Sequence, residues 1–184
     1  MQKQFFLFLI ISIFYLPACF AQSKIFTTSS GSITFSSDAP LELINASTKE
    51  MRGKFDITKK QFAFTAKINS FAGFNSSLQR EHFNENYMES MVHPNASFAG
   101  KVIEDIDFSE DGTYDVRAKG SLLIHGVLQE RIIKCTLVAK KGKINISSKF
   151  TVLLSDHNIP IPKVVHEKLA SEIKVEVKAD MTIQ

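Results

Sequence analysis

The sequence has no tryptophan, two cysteines, eight glycines and five prolines in 184 residues. So little glycine and proline excludes a collagen-like or low-complexity chain. One cysteine, Cys19, falls in a leader-like opening, which leaves Cys135 alone in the remainder. A lone cysteine makes no internal disulfide, so an apolar core must hold the domain by itself. Cys135 shares strand parity with Ile133 and Leu137 and reads as a small buried residue. A bias toward one sign of charge is missing too. Lys3 is the only charge among residues 1–21, and the remainder carries 21 basic against 19 acidic residues. The signs alternate, as in Lys174, Glu176, Lys178 and Asp180. That is a solvated strand face, not a nucleic-acid patch. Beyond residue 21 no apolar run is long enough for a membrane-spanning helix.

Motifs that carry chemistry are equally scarce. No Gly-x-Ser-x-Gly elbow occurs. His82, His93, His125, His157 and His166 are scattered; no pair has the His-x-x-x-His spacing of a helical metal site, and no cysteine accompanies them. Ser155-Asp156-His157 holds the residue types of a hydrolase triad, but neighbours on a strand point apart and cannot form a relay. The expectation is therefore no catalytic residue, no metal and no cofactor. Asn-x-Ser patterns start at Asn45, Asn75, Asn95 and Asn145 and are read as chance.

Two features are present. The first is a leader. Lys3, the apolar run Phe5–Leu16 and the small residues around Ala21 form a secretory signal peptide, residues 1–21, leaving one domain over 22–184. The protein is then expected in the periplasm or secreted. Leu16-Pro17-Ala18-Cys19 also resembles a lipobox, which would leave a lipid on Cys19.

The second is a period of two, the strand signature. Tyr114, Val116, Ala118, Gly120, Leu122 and Ile124 alternate up to His125-Gly126, where Gly126 can take the positive φ of a tight turn. Arg131, Ile133, Cys135, Leu137 and Ala139 alternate after it. Further strands are expected around Ile33 and Phe35, over Leu41–Thr48, through Phe62, Phe64, Ala66 and Ile68, and from Ala96 to Val102. Two more run from Ile144 to Leu154 and from Ile173 to Ile183. Gly53 and Asp56 mark a change of direction. About eight strands connected in sequence suit an all-β, up-and-down antiparallel barrel, whose closure removes exposed edges. Eight strands can just enclose one slender ligand.

Two segments break the alternation. From Ser76 to Met91 the period suits a helix capped by Ser77 and ended by Pro94. Between Ser155 and Ala170, Ile159-Pro160-Ile161-Pro162 precedes a helical turn around Val164–Leu169. The first insertion carries Phe71, Phe74, Leu78, Phe83, Tyr87, Met88 and Met91, too apolar a set for a solvated connection. It either plugs one barrel end or covers a cavity. The strand parity is itself rich in phenylalanine: Phe35, Phe62, Phe64, Phe98 and Phe150. Such a stripe is most often packed core.

The order and spacing of several motifs resemble the YceI-like family of exported bacterial lipid-binding proteins. They are Phe71-Ala72-Gly73-Phe74-Asn75-Ser76, Arg80-Glu81-His82-Phe83, Met91-Val92-His93-Pro94 with Phe98, and Gly120-Ser121-Leu122-Leu123-Ile124-His125-Gly126-Val127. The resemblance covers the chain from Gly31 to its end. His93 stands where an aromatic is common. The resemblance implies a lipocalin-like eight-stranded barrel whose elongated cavity takes a polyisoprenoid or similar amphiphile.

The expected contacts, chosen by parity and by this resemblance, are Phe62, Phe64, Ile68, Phe71, Phe74, His82, Phe83, Tyr87, Met88 and Phe98. His82 would meet a polar head, whereas Arg80 and Lys101 are solvated charges. The partner is a polyisoprenoid or fatty amphiphile, with transient membrane contact and a homodimer compatible with the sequence. Three other readings stay open: a packed barrel that binds proteins, a histidine-dependent hydrolase, and a membrane-spanning barrel.

Overall fold

The computed structural model describes residues 23–184; the expected leader and Cys19 lie outside them. The strands are β1 (Ile25–Asp38), β2 (Leu43–Asp56), β3 (Gln61–Lys67), β4 (Asn95–Val102), β5 (Gly112–Ile124), β6 (Val127–Lys140), β7 (Lys143–Leu153) and β8 (Glu172–Ile183). Each pairs antiparallel with the next, and β8 returns to β1, so the barrel closes in sequence order. This is the expected eight-stranded up-and-down architecture. Inward positions are apolar and outward ones are mostly polar, with exposed ion pairs such as Lys178–Glu176 (2.8 Å) and Lys174–Asp38 (3.1 Å). A charged outside around an apolar inside is the inverse of a membrane-spanning barrel.

Several local expectations are corrected. β1 is fourteen residues long rather than a short segment around Ile33. Its pairing register shifts on both sides of Gly31. A bulge breaks the period of two and hides the first half of the strand. Gly53 marks no change of direction: β2 runs through it, and the turn begins at Asp56, whose Oδ1 accepts from the Thr58 and Lys59 N–H groups (3.0 and 2.9 Å). Ile68 is not part of β3. It opens a 3₁₀ turn, Ile68–Ser70, and its N–H donates to the Pro94 carbonyl (2.9 Å), closing the neck of the first insertion.

The expected helix Ser76–Met91 is shorter and mixed. α1 covers Ser77–His82, and Ser76, not Ser77, caps it by accepting from the Gln79 N–H (3.1 Å). A π turn, Phe83–Tyr87, follows, with the Met88 N–H reaching the Phe83 carbonyl (2.9 Å). The wider turn places Phe83, Tyr87 and Met88 toward the barrel, which uninterrupted α spacing does not do. Within the second insertion only short 3₁₀ turns form, Leu154–His157 and Lys163–Val165.

The two barrel ends differ. Short turns and the 103–111 loop close one end. That loop tucks Phe108 against Phe55 (5.4 Å) and Tyr114 (5.6 Å), both edge-on. Both insertions, the β1–β2 turn and the His125-Gly126 turn gather at the other end.

Candidate functional site

A cavity of about 360 Å³ runs inside the barrel, within the range of small-molecule sites. Deep in it lie Met51, Phe55, Phe62, Val102, Val116 and Ala118; toward the insertions come Phe35, Phe71, Phe74, Phe83 and Leu169. Its wall is overwhelmingly apolar, and its charged and strongly polar members sit at the insertion end: Glu42, Gln79, His82 and Lys168. Gln79 Nε2 donates to Glu42 Oε1 (3.0 Å), tying α1 to the β1–β2 turn. On the other side of the mouth the Leu41 N–H donates to the Glu167 carbonyl (2.9 Å). The result is an elongated apolar slot with a polar rim at one end only.

All ten residues expected at the site line this cavity. Phe62, Phe64 and Phe98 come from β3 and β4, with the Phe62 and Phe98 rings 4.9 Å apart across the strand pair. Ile68 and Phe71 follow from the neck of the insertion. Phe74, His82, Phe83, Tyr87 and Met88 arrive on the insertion itself. Arg80 and Lys101 do not reach the cavity; the Arg80 guanidinium donates to the Asn69 carbonyl (3.0 Å).

The expected list lacks residues that the fold adds. Phe35 is the hub of the lid: it stacks on Phe83 (5.3 Å, 23°) and meets Phe71 (5.5 Å) and Phe74 (6.0 Å). Its parity was a usable signal. Lys168, Leu169, Val165 and Ile159 come from the second insertion, whose irregular backbone has no period to read. Cys135 also faces the cavity, and burial pushes its thiol pKa up. Burial likewise raises the Tyr87 phenol. Both groups are neutral wall, not nucleophiles.

The Ser155-Asp156-His157 run forms no relay. His157 is fully buried, 0% exposed, and is absent from the cavity wall; its Nδ1 lies 3.3 Å from the Val127 carbonyl and its Nε2 has no partner. Burial lowers its pKa, against the pull of the Val127 and Ile124 carbonyls.

One cluster escaped the reading by spacing. Glu89, His93 and His125 bring one ligand atom each to within 4.8 Å of one another. His93 and His125 are 32 residues apart, just beyond the paired ends of β4 and β5, so the β4–β5 pairing juxtaposes them.

A closed eight-stranded antiparallel barrel is just wide enough to be filled by side chains or to enclose one small ligand. The YceI-like domain model matches residues 24–181, and the chain belongs to the YceI-like family. A search of curated proteins found no significant match. Solved structures share the fold at low identity. A polyisoprenoid binding domain from Saccharophagus degradans, implicated in plant cell wall breakdown, has a TM-score of 0.72 at 12% identity, covering 89% of this chain and 100% of that one. BcnA of Burkholderia cenocepacia has a TM-score of 0.66 at 15% identity, covering 83% and 96%. The Campylobacter jejuni YceI protein has a TM-score of 0.58 at 16% identity, covering 76% and 84%. At such identities the likeness establishes the fold.

Proposed function

We propose that this protein binds a polyisoprenoid or another elongated amphiphile, non-covalently, inside the barrel, with the polar head at the rim of Glu42, Gln79, His82 and Lys168. The observation that carries this reading is the one-ended slot: overwhelmingly apolar along its depth, with its charged and strongly polar side chains at the mouth. Family membership and a polyisoprenoid-binding domain among the structural neighbours support the ligand class. The absence of His157 from the cavity wall, with its Nδ1 held at the Val127 carbonyl, favours binding over catalysis by the Ser155-Asp156-His157 run.

Energetics set the role. Each CH₂ removed from water gains about 0.8 kcal/mol, so the gross drive for a long tail is large. The tail's alternative, however, is a membrane, and the difference between two apolar surroundings is small. Such a protein can pick up and release its ligand, as a carrier or store. Exposed apolar side chains around the mouth, Leu41, Leu78, Met91 (94% exposed), Val92 and Val164 (90%), suit transient contact with a membrane during loading. Export beyond the cytoplasm, supported by the segment Met1–Ala21, would place it between membranes.

Charged substitution at the wall tests the reading. Phe64 lines the slot without being fully buried. Phe64→Glu should abolish uptake of a polyprenyl alcohol or fatty acid, measured by native mass, while circular dichroism still shows a folded barrel. Uptake equal to that of the unaltered protein would refute the cavity as the binding place.

A further inference from the structure

We propose that Glu89, His93 and His125 form a site for a divalent transition-metal ion of the zinc class, fastening the first insertion to the β5–β6 turn. His125 faces two acceptors. Its Nδ1 lies 3.0 Å from the His157 carbonyl oxygen and its Nε2 lies 2.7 Å from a Glu89 carboxylate oxygen. Both partners can only accept. A neutral imidazole has one N–H and satisfies one of them. With Nδ1–H donated to the carbonyl, Nε2 presents a lone pair to a carboxylate. A cation between them removes that conflict. The carbonyl contact is the outer-shell orientation that metal-bound histidines ordinarily have.

The third donor is held in place independently. The chain turns tightly after Glu89, and the Val92 and His93 N–H groups both donate to the Glu89 carbonyl (2.8 Å each). That brings the His93 side chain back beside Glu89. The His93 ring then lies edge-on to His125 at 4.8 Å, over Gly126, where a Cβ would stand 2.6 Å from the ring. Glu89 is left-handed (φ 43°), and His125 (φ 49°) and Gly126 (φ 72°) form the two-residue hairpin turn between β5 and β6, the same geometry as Lys141-Gly142 between β6 and β7. Only at Glu89 does no hairpin turn call for that conformation, which costs a non-glycine residue energy.

The chemistry selects the ion. Two imidazoles and one carboxylate, with a solvent-facing side, make a three-ligand zinc-type set with a fourth position for water. The Glu89 side chain is 51% exposed and the His125 side chain 10%, so the ion would be reached from solvent through Glu89. Tetrahedral bonds of about 2.0–2.1 Å set ligand atoms about 3.3 Å apart, so on binding the Glu89–His125 pair at 2.7 Å would open and His93 would close in. Hard, oxygen-seeking Mg²⁺ is a poor fit to two imidazoles. The site lies on the residue after Met88 and on the turn after Ile124, both cavity residues, so a bound ion would clamp the lid shut from outside.

Calorimetric titration of the chelator-treated protein with Zn²⁺ tests the proposal and needs no lipid, so it fails or succeeds apart from the proposed function. The expected result is one ion per chain, with no binding of Mg²⁺. Losing a ligand costs no less than losing an outer-shell partner, so His93→Ala, His125→Ala and Glu89→Gln should each weaken binding by about 10–100-fold or more. His166→Ala, outside the cluster, should leave it unchanged. Glu89→Gln alters an exposed side chain, so it remains informative if a histidine variant folds poorly. Visible absorption of bound Co²⁺, perturbed by the same three substitutions, is the second readout. Absence of stoichiometric binding, or equal binding by the His93→Ala/His125→Ala double variant, would overturn the site and leave the His125–Glu89 contact as a plain side-chain hydrogen bond.

Discussion

The Phe64 ring lies against Gly53, its pairing partner on β2, so closely that a Cβ on Gly53 would stand 2.1 Å from ring carbon Cδ1. The missing side chain is what gives this cavity-lining ring a place against the wall. Gly53→Ala should therefore push Phe64 into the slot. The obstacle is a side chain that can rotate, so the stability cost is about 1 kcal/mol. The larger effect is on capacity: ligand uptake by native mass should fall while the thermal midpoint moves little.

Gly120 makes a contrasting case. It pairs with Gly100 across β4 and β5, and a Cβ on it would stand 2.2 Å from the Ala99 carbonyl oxygen. Backbone cannot rotate away. Gly120→Ala should cost about 3 kcal/mol or more, by forcing two strands apart. Denaturant unfolding of both alanine variants checks the ordering; equal losses would contradict the distinction between a mobile ring and fixed backbone.

The lid can be loosened without touching the barrel wall. Phe83 joins the insertion to Phe35, Phe71 and Phe74, with ring centroids 5.3, 6.0 and 5.0 Å away. Phe83→Ala removes a half-buried ring from that cluster, at about 2 kcal/mol. Release of a bound fluorescent fatty acid should become faster by about tenfold or more, in line with that loss. An unchanged rate would mean that the insertion does not gate the slot.

These elements were legible to different degrees, for physical reasons. The strands β5 and β6 alternate without interruption, so their inward faces could be read directly, Cys135 included. β1 could not, because the bulge at Gly31 shifts its parity half-way. Phe62, Phe64 and Phe98 line the cavity because inward parity and apolar character coincide for phenylalanine in a barrel this narrow; the other seven expected residues reach it from the insertion and its neck, where strand parity does not apply. The π turn at Phe83–Tyr87 could not be foreseen, since no local propensity distinguishes it from a helix. Lys168 depends on a loop folding over the mouth and the Glu89–His93–His125 group on the pairing of β4 with β5, and neither is held in any window of sequence.

Acid should reveal His157. Burial lowers its pKa in the folded state, whereas unfolding restores the ordinary value near 6.5. Above that value both states are neutral and the histidine contributes no pH dependence. Below it the unfolded chain binds a proton that the folded chain refuses, so stability falls with pH until the lowered folded pKa is passed. This window opens before that of carboxylates such as Glu104, whose pKa the Arg117 guanidinium holds down and whose contribution is lost only at lower pH. Denaturant midpoints should drop between about pH 7 and pH 5.5. The drop should shrink in His157→Gln; an identical slope would place its origin elsewhere.

Cys135 offers a report from inside the slot. It is the one cysteine among the described residues, it faces the cavity, and burial raises its pKa. Small thiol reagents should react slowly near neutral pH and faster as pH rises. A bound amphiphile should slow them further. Protection that does not depend on added lipid would argue that the ligand lies away from β6.

The central claim is that the barrel holds a lipid. Its most direct test is native mass spectrometry of the gently purified protein, with denaturing organic extraction and mass analysis of the extract. The account predicts a bound species at one per chain, released on denaturation and identified as a polyisoprenoid or fatty amphiphile. A clean ligand-free mass, unchanged after incubation with polyprenyl and fatty-acid panels, would contradict it.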